Sequence, residues 1–334
     1  MTNILLYIVF TAAGILLLYL GGTYIVDGSV MIANKLKIPP IVIGLTVVAM
    51  GTSTPELFVS LFGAIRGESA IAVGNVIGSN IFNIVFVLGV SALFMDMAAG
   101  KKSYHVSMLS MFIMYAVLFV ILLNFNTRTL SGDKISVLEG IILLVLLCVY
   151  VYYLYRVVSK DKEELAIFEK EVSASTKTYS IYRAIFKIVL SIFALAVGSD
   201  IFLKGVTGIF RNFISEHIIG FIVVAVGTSI PELVTSVIAA SKKEADISIG
   251  NIVGSNIFNV GGVLGVSAIA SFNFGGIILP TAQNYLIDYV MMVFSGLILL
   301  LFTLRGRSLN KVKGCLLLIV YIFYVIYLLK TTSV

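Results

Sequence analysis

The sequence predicts an all-α membrane protein with ten transmembrane helices, arranged as two inverted-topology repeats of five helices each. Composition is the first observation behind this prediction: 59% of the 334 residues are hydrophobic and only 12% are charged. Soluble domains have roughly 45–50% apolar and about 25% charged residues. Apolar runs of about 20 residues, the length that crosses a hydrocarbon core, recur from one end of the chain to the other. An integral membrane protein is therefore expected.

A duplicated pair of motifs is the second observation. The segment GLTVVAMGTSTPELFVS at 44–60 recurs as GFIVVAVGTSIPELVTS at 220–236. The segment GNVIGSNIFN at 74–83 recurs as GNIVGSNIFN at 250–259. Both second copies are displaced by the same 176 residues, the difference between 220 and 44 and between 250 and 74. Because chance similarity would not keep this register, the sequence indicates a duplicated structural unit.

The apolar runs place ten spans along the chain, five in each copy. An odd number of spans per copy inserts the second copy upside down, as in the inverted repeats of many secondary transporters. The predicted spans lie near 4–33, 41–65, 70–94, 104–124, 135–157, 183–211, 218–240, 245–270, 283–303 and 312–330. The predicted domains are an N-terminal five-helix repeat at 1–157, a cytoplasmic linker at 158–182 and a C-terminal five-helix repeat at 183–334.

The distribution of basic residues is the third observation, because Lys and Arg concentrate in cytoplasmic loops. If the N-terminus is outside, the inward-facing segments and the central region carry 17 of the 23 Lys and Arg residues. This predicts a multi-pass protein of the cell (inner) membrane, with both termini outside and the central loop in the cytoplasm. The first segment lacks a basic start and a cleavage site, so we interpret it as a retained span.

Few residues are available for redox, zinc or histidine chemistry. Cys148 and Cys315 lie in apolar runs, and His105 and His217 are the only histidines in the sequence. An intramembrane enzyme would need a nucleophile with a base or a set of metal-binding histidines, and the sequence offers neither near its repeated motifs. We therefore expect no catalytic residue, no prosthetic group and no nucleic-acid partner, with the lipid bilayer as the surrounding medium.

Each copy of the first motif places a glutamate beside a proline in an otherwise apolar span. Pro55 and Pro231 lack an N–H group and are expected to free backbone carbonyls one turn earlier, around Ala49–Thr52 and Ala225–Thr228. Such carbonyls are tolerated at membrane depth where they line a polar cavity. Thr52 and Glu56 are four residues apart, so a motif's hydroxyls and its own carboxylate are expected on one helix face.

The second motif adds a polar stripe at four-residue spacing. Its members are Asn75, Ser79 and Asn83, repeated by Asn251, Ser255 and Asn259. All the candidate ligands of both motifs are oxygens, which suit hard cations such as Ca²⁺ better than soft transition metals. For Asn75 and Asn251 alone, a packing role fits equally well.

Charge balance favours a cation between the copies. No Lys or Arg lies in the buried part of either motif, so Glu56 and Glu232 would need a bound cation or a proton. One Ca²⁺ balances two carboxylates, whereas three Na⁺ leave a net charge of +1. A purely structural helix–helix hydrogen bond would not require two identical proline-flanked copies. The acidic residues near span ends are interpreted as structural or interfacial: Asp27, Glu139, Asp200 and Asp288.

The segments GTSTPEL and GTSIPEL, each followed by GNVIGSN or GNIVGSN, resemble the α1 and α2 repeats of the sodium/calcium exchanger family. This family belongs to the cation/Ca²⁺ antiporter superfamily. The chain resembles the prokaryotic members of the family, and the resemblance covers nearly the whole chain. It implies that Na⁺ and Ca²⁺ are transported by alternating access, with the first and sixth spans sliding across a core. Carried over residue by residue, it implies these cation ligands: Ala49, Thr52, Ser53, Glu56, Ser79, Asn83, Ala225, Thr228, Ser229, Glu232, Ser255 and Asn259.

One departure from the family pattern bears on the transported ions. Some relatives have aspartate at the position of Asn83 or Asn259, whereas both are asparagine here. Two neutral amides keep the formal charge of the core at two, which favours K⁺-independent exchange. We expect electrogenic 3:1 exchange of Na⁺ for Ca²⁺, carried out by a monomer. Antiport of Ca²⁺ against H⁺, or of another divalent cation such as Mg²⁺, stays open as the alternative. A passive channel would not need paired carboxylate sites.

Overall fold

In the computed structural model the described part of the chain is almost entirely helical. The structure describes residues 2–67, 69–98, 102–124, 134–161, 180–210, 226–278 and 283–331. Within these ranges the main helices are α1 (Thr2–Leu36), α2 (Pro40–Thr52), α3 (Thr54–Ile65), α4 (Ile71–Phe94), α5 (Lys102–Asn124), α6 (Val137–Lys160), α7 (Ile181–Phe210), α8 (Ile230–Ser241), α9 (Ala245–Ala270), α10 (Gln283–Thr303) and α11 (Lys311–Thr331).

Length and surface chemistry fit these helices to a bilayer. Eight of them are individually long and apolar enough to cross a membrane, and α2 with α3 forms one further span that bends by 45°. Large apolar side chains point outward, as for Leu5, Phe193 and Val312, which are 65%, 67% and 69% exposed. Water would penalise such a surface heavily, whereas lipid favours it. The predicted all-α membrane fold is confirmed.

The seventh predicted span and the linker lie only partly within the described residues. The span at 218–240 begins outside the described residues, and its described part, 226–240, consists mainly of the 12-residue helix α8. Most of the linker at 158–182 also lies outside the described ranges. The domain boundaries and the orientation of the termini therefore stay predictions.

Helices α1 and α7 pack along each other in opposite directions. Glycines spaced by seven residues on α1 face larger residues in reverse order along α7: Gly14 with Phe202, Gly21 with Leu195 and Gly28 with Ile188. A Cβ atom at Gly14 would lie 2.6 Å from the Cα of Phe202, so only glycine permits this approach. On another face of α1, Gly22 lies against Val234 and Ile238 of α8. Helices α1 and α7 thus form a closely packed pair, and another face of α1 packs against α8.

Helices α4 and α9 form the centre. In their most apolar stretches, 78% and 83% of the residues are buried, against 11–39% for the other eligible spans. Helix α9 crosses α2 closely, because Gly250 and Gly254 lie against the backbone carbonyls of Ile41 and Leu45. Both central helices contain a π-helical stretch, at Phe82–Val87 and Asn259–Leu264.

Short β-pairings join the two halves outside the helices. Strand β1 (Lys134–Ser136) pairs antiparallel with β2 (Gly276–Ile278), with Ile135 opposite Ile277. An isolated antiparallel bridge links Met97 to Leu309. In both cases the segment before the last span of one half meets the segment after the third span of the other half. This equivalence of the two pairings is consistent with two inverted repeats.

Candidate ion-binding site

The first motif of each copy ends one helix and starts the next. Helix α2 ends at Thr52, Ser53 leaves the helical conformation (φ −81°, ψ 12°), and Pro55 lies in the first turn of α3. Ser229 (φ −90°, ψ 7°) and Pro231 repeat this arrangement before α8. Each proline therefore lies at the start of a new helix and not in the interior of a continuous one. A proline in a first turn costs little, because N–H groups there lack an intrahelical partner in any case.

The break also affects the backbone carbonyls. The Ala49 carbonyl accepts the Ser53 N–H at 3.1 Å, and Ser255 Oγ lies 3.4 Å from the same oxygen. The expectation that the proline leaves this carbonyl unpaired is wrong, because the last turn of α2 closes before Pro55 is reached. The Ser53 N–H occupies one of the two lone pairs of the Ala49 oxygen, whereas the hydroxyls of Ser255 and Thr52 lie 3.4 Å away, beyond the usual O–H···O distance, so the second lone pair can bind a cation.

Two buried carboxylates start the two new helices. Glu56 lies in the first turn of α3 and Glu232 in the first turn of α8. Both side chains are fully buried. At this position the positive end of each helix dipole favours a negative charge. The broken helices thus provide part of the stabilisation that a carboxylate loses when it leaves water.

The serine of each motif pairs with the glutamate of the other copy. Ser53 Oγ donates to Glu232 Oε1 at 2.7 Å, and Ser229 Oγ donates to Glu56 Oε1 at 3.0 Å. The expectation that a motif's hydroxyls and its own carboxylate share one helix face is therefore wrong. The helix breaks between them, so the hydroxyls turn towards the opposite repeat.

Serines of the central helices complete the hydroxyl set. Ser79 Oγ of α4 lies 2.9 Å from Ser229 Oγ and 3.5 Å from Thr228 Oγ1. Ser255 Oγ of α9 lies 3.4 Å from Glu232 Oε1. The second motifs of both copies therefore meet the first motif of the second copy at this place.

The first asparagines of the two stripes are fully hydrogen-bonded. Thr52 Oγ1 lies 3.0 Å from Asn251 Oδ1, and Thr228 Oγ1 donates to Asn75 Oδ1 at 3.1 Å. Their amide nitrogens donate to buried serines, Asn75 to Ser60 at 2.9 Å and Asn251 to Ser236 at 3.0 Å. Because both ends of each amide are engaged, these contacts support the packing role for Asn75 and Asn251.

Four buried oxygens stand out because they have no hydrogen-bond partner among the described residues. They are Oε2 of Glu56, Oε2 of Glu232, Oδ1 of Asn83 and Oδ1 of Asn259. The other buried side-chain atoms without a partner there are serine and threonine hydroxyls, which can rotate. Carboxylate and amide oxygens are acceptors only, so each needs a donor or a cation.

No basic side chain neutralises the two glutamates in the part of the chain that the structure describes. The ion pairs found there join Asp27 to Lys187 and Lys242, and Asp200 to Lys204. The other acidic residues assigned to structure have local partners too. Glu139 forms a capping box with Ser136, and Asp288 accepts from Tyr324 at 2.8 Å.

Eleven of the twelve sequence-predicted ligands lie within the described ranges, and Ala225 lies outside them. All eleven are at most 6% exposed: Ala49, Thr52, Ser53, Glu56, Ser79, Asn83, Thr228, Ser229, Glu232, Ser255 and Asn259. Sequence reasoning missed Asn80 and Asn256, which contact Asn259 and Asn83. Their presence in both GSN segments was an available signal.

Fold and site together define the class of this protein. It has several membrane spans, and its centre contains two acidic side chains and is lined by oxygens, which places it among the membrane cation transporters. The family described as sodium/calcium exchanger protein matches residues 6–156 and 183–330. The chain therefore belongs to the sodium/calcium exchanger family, a family of cation antiporters.

Individual relatives agree with this membership. The chain is 36% identical over 323 residues to the putative antiporter CaxA of Alkalimonas amylolytica, covering 95% of this chain and 96% of that protein. It is 30% identical over 349 residues to the sodium/calcium exchanger MaX1 of Methanosarcina acetivorans, covering 94% and 96%. The sodium-calcium exchanger NCX_Mj, soaked with Na⁺ and Sr²⁺, superposes with a TM-score of 0.77 at 28% identity, covering 96% of this chain and 98% of that one. The resemblance inferred from the repeated motifs is confirmed.

Proposed function

We propose that this protein exchanges Na⁺ for Ca²⁺ across a cell membrane, with three Na⁺ moved per Ca²⁺. The observation that carries the proposal is a set of four oxygens, on Glu56, Glu232, Asn83 and Asn259, that have no hydrogen-bond partner in the described part of the chain. They come in two pairs, one residue of each pair from each repeat. Two of them are carboxylate oxygens without a basic neighbour in the described ranges, and hard cations favour such ligands.

The hydroxyl groups extend the oxygen set around these four atoms. Ser53 and Ser229 approach the carboxylates to 2.7 Å and 3.0 Å. Ca²⁺ takes 6–8 oxygen ligands, which the eleven described candidates can supply from side chains and the Ala49 carbonyl. Residues Ala49, Thr52, Ser79, Thr228 and Ser255 are assigned to this role by the same proposal, and Ala225 by its place in the repeat.

The charge of the core sets the electrical character of the exchange. Two glutamates carry two negative charges, so the Ca²⁺-loaded core is neutral and the core loaded with three Na⁺ carries +1. Each cycle then moves one net positive charge with the Na⁺ ions. Because Asn83 and Asn259 are neutral, the core holds no extra charge that a K⁺ ion would balance.

The α1–α7 pair is suited to alternate access to the core. The two helices pack closely at the glycines of α1, whereas Gly22 lies against two apolar side chains of α8, Val234 and Ile238. Apolar contacts are not directional, so they permit sliding better than hydrogen bonds would. The pair slides as one body, exposing the core to each side in turn.

The membrane orientation follows the basic residues. The termini lie outside and the central loop in the cytoplasm, and the protein acts as a monomer in the cell (inner) membrane. Each copy contributes half of one site, so a single chain holds every group that the exchange requires.

Flux into vesicles tests the function. Purified protein is reconstituted into Na⁺-loaded liposomes, diluted into Na⁺-free and K⁺-free medium, and ⁴⁵Ca²⁺ uptake is followed with and without a protonophore. We expect uptake that requires internal Na⁺, ignores the protonophore and accelerates at inside-positive potential. Uptake driven by a pH gradient without Na⁺ would establish H⁺ coupling instead. Flux that only equilibrates Ca²⁺ would indicate a channel.

A further inference from the structure

Four asparagines meet where α4 and α9 cross at the centre of the protein. They are Asn80, Asn83, Asn256 and Asn259, and all four are fully buried. The two helices are linked reciprocally through backbone carbonyls. Asn80 Nδ2 donates to the Asn256 carbonyl at 3.2 Å, and Asn256 Nδ2 donates to the Asn80 carbonyl at 3.1 Å.

The same two residues also hold the amides of the other two. Asn83 Nδ2 donates to Asn256 Oδ1 at 3.0 Å, and Asn259 Nδ2 donates to Asn80 Oδ1 at 3.0 Å. Asn80 and Asn256 have used their own amide nitrogens on the backbone, so each can present only its oxygen here. An amide oxygen accepts hydrogen bonds but cannot donate them. The orientation of both captured amides is thereby fixed.

This orientation matters because an asparagine side chain has two chemically opposite ends of nearly equal shape. With Nδ2 held, Oδ1 of Asn83 and Oδ1 of Asn259 are the free ends, and neither has a partner among the described residues. A rotation by half a turn would instead present an N–H₂ group, which repels a cation. An aspartate would not have this problem, since both of its ends are oxygens.

We infer that Asn80 and Asn256 are positioning residues, which lock the neutral amides of Asn259 and Asn83 with their oxygens toward the transported cation. This inference rests on the proposed function. The lock lets the core use two neutral oxygen ligands and keep a formal charge of two. Tyr115 strengthens it on one side, because its hydroxyl lies 3.1 Å from Asn256 Nδ2.

A double-mutant cycle tests the lock. Ca²⁺ dissociation constants are measured by titration calorimetry on purified full-length protein for the wild type, Asn80→Leu, Asn259→Asp and the double variant. Loss of the acceptor frees the amide of Asn259, and we expect Asn80→Leu to weaken Ca²⁺ binding roughly tenfold or more. In the Asn259→Asp background the same change should cost less than about threefold, because a carboxylate needs no orientation.

The outcomes separate the lock from simple packing and from failure of the proposed function. An equal loss in both backgrounds, or no loss in either, would overturn the inference. If Asn80→Leu does not fold, the mirror cycle of Asn256→Leu with Asn83→Asp replaces it, and the same criteria apply. A wild-type protein that binds neither Ca²⁺ nor Na⁺ would contradict the proposed function itself, whatever the variants do.

Discussion

Ser53, at the break between α2 and α3, donates a hydrogen bond of 2.7 Å to Glu232 in the opposite repeat. Ser229 makes the corresponding bond to Glu56 at 3.0 Å. Each carboxylate is therefore held by the other half of the molecule. Both halves must therefore be in place for the two carboxylates to take up these positions.

Neutralising either glutamate tests the charge of the core. Glu56→Gln and Glu232→Gln should each reduce Na⁺-dependent ⁴⁵Ca²⁺ uptake to the level of empty liposomes. Folding should persist, because burying a neutral amide costs less than burying a carboxylate; thermal unfolding of the purified variants checks this. Glu139→Gln is the matched control, since glutamine also serves in a capping box. Exchange at the wild-type rate in either core variant would exclude that glutamate as a ligand.

Removing one serine hydroxyl tests the bond between the halves. Ser53→Ala deprives Glu232 of its shortest hydrogen bond, and bonds to charged groups contribute about 1.5–3 kcal/mol. We expect the apparent Ca²⁺ affinity in flux assays to fall roughly tenfold or more. Ser229→Ala should act similarly through Glu56.

Ser295→Ala is the control for these serine variants. Ser295 is also buried, but its hydroxyl bonds the Met292 carbonyl of its own helix. Its loss should leave the Ca²⁺ affinity within about twofold of the wild type. Equal effects of Ser295→Ala and Ser53→Ala would mean that the bond between the halves has no special role.

Adding a carboxylate tests the asparagine ligands. Asn83→Asp and Asn259→Asp raise the formal charge of the core to three, which favours a divalent over a monovalent cation. We expect the ratio of Ca²⁺ to Na⁺ affinity to rise at least several-fold, with little change in protein abundance. Competition between the two ions in the flux assay measures this ratio. Unchanged selectivity in both variants would count against these asparagines as ligands.

An ion pair on the predicted cytoplasmic side tests whether helices α1 and α7 slide across the core. Lys242, just past the end of α8, lies 2.6 Å from Asp27 of α1, and it therefore ties the α1–α7 pair to the core. Partly exposed pairs contribute about 0.2–1 kcal/mol, so Asp27→Asn should shift the balance between the two access states by up to about fivefold. Spin labels at Leu36 and Lys243 would report this as a changed distance distribution.

Asp200→Asn is the matched control for that measurement. Asp200 pairs with Lys204 on its own helix at 2.6 Å, so it connects nothing that moves apart. Its distance distribution should equal that of the wild type. If Asp27→Asn also leaves the distribution unchanged, the ion pair does not hold the α1–α7 pair.

Sequence reasoning identified the two halves and the residues at their centre because both rest on local identity. The fixed displacement of the motifs marks the duplication, and Glu56 and Glu232 are conspicuous in apolar surroundings. The direction of the side chains could not be obtained in the same way. Thr52 and Ser53 are near Glu56 in sequence, yet Ser53 bonds Glu232, because the break in the helix turns it across the interface between the halves.

The π-helical stretches and the asparagine lock were also beyond the sequence. A π turn joins residues five apart by hydrogen bonds and depends on packing against the neighbouring helix, so spacing by four does not reveal it. Asn80 follows Ser79 directly and points to a different side of α4, which placed it outside the predicted polar stripe. Only the crossing of α4 and α9 brings it to Asn259, at 3.0 Å.

Anomalous scattering from crystals soaked with Sr²⁺, a stand-in for Ca²⁺, tests the central claim most directly. We expect one strong anomalous peak between the halves, in contact with Glu56 Oε2 and Glu232 Oε2 at distances slightly longer than the Ca²⁺–oxygen bond length of about 2.3–2.6 Å, because Sr²⁺ is the larger ion. That peak should disappear in crystals of Glu56→Gln. Strong peaks only at other positions, with both carboxylates lacking a bound ion at saturating Sr²⁺, would contradict the site.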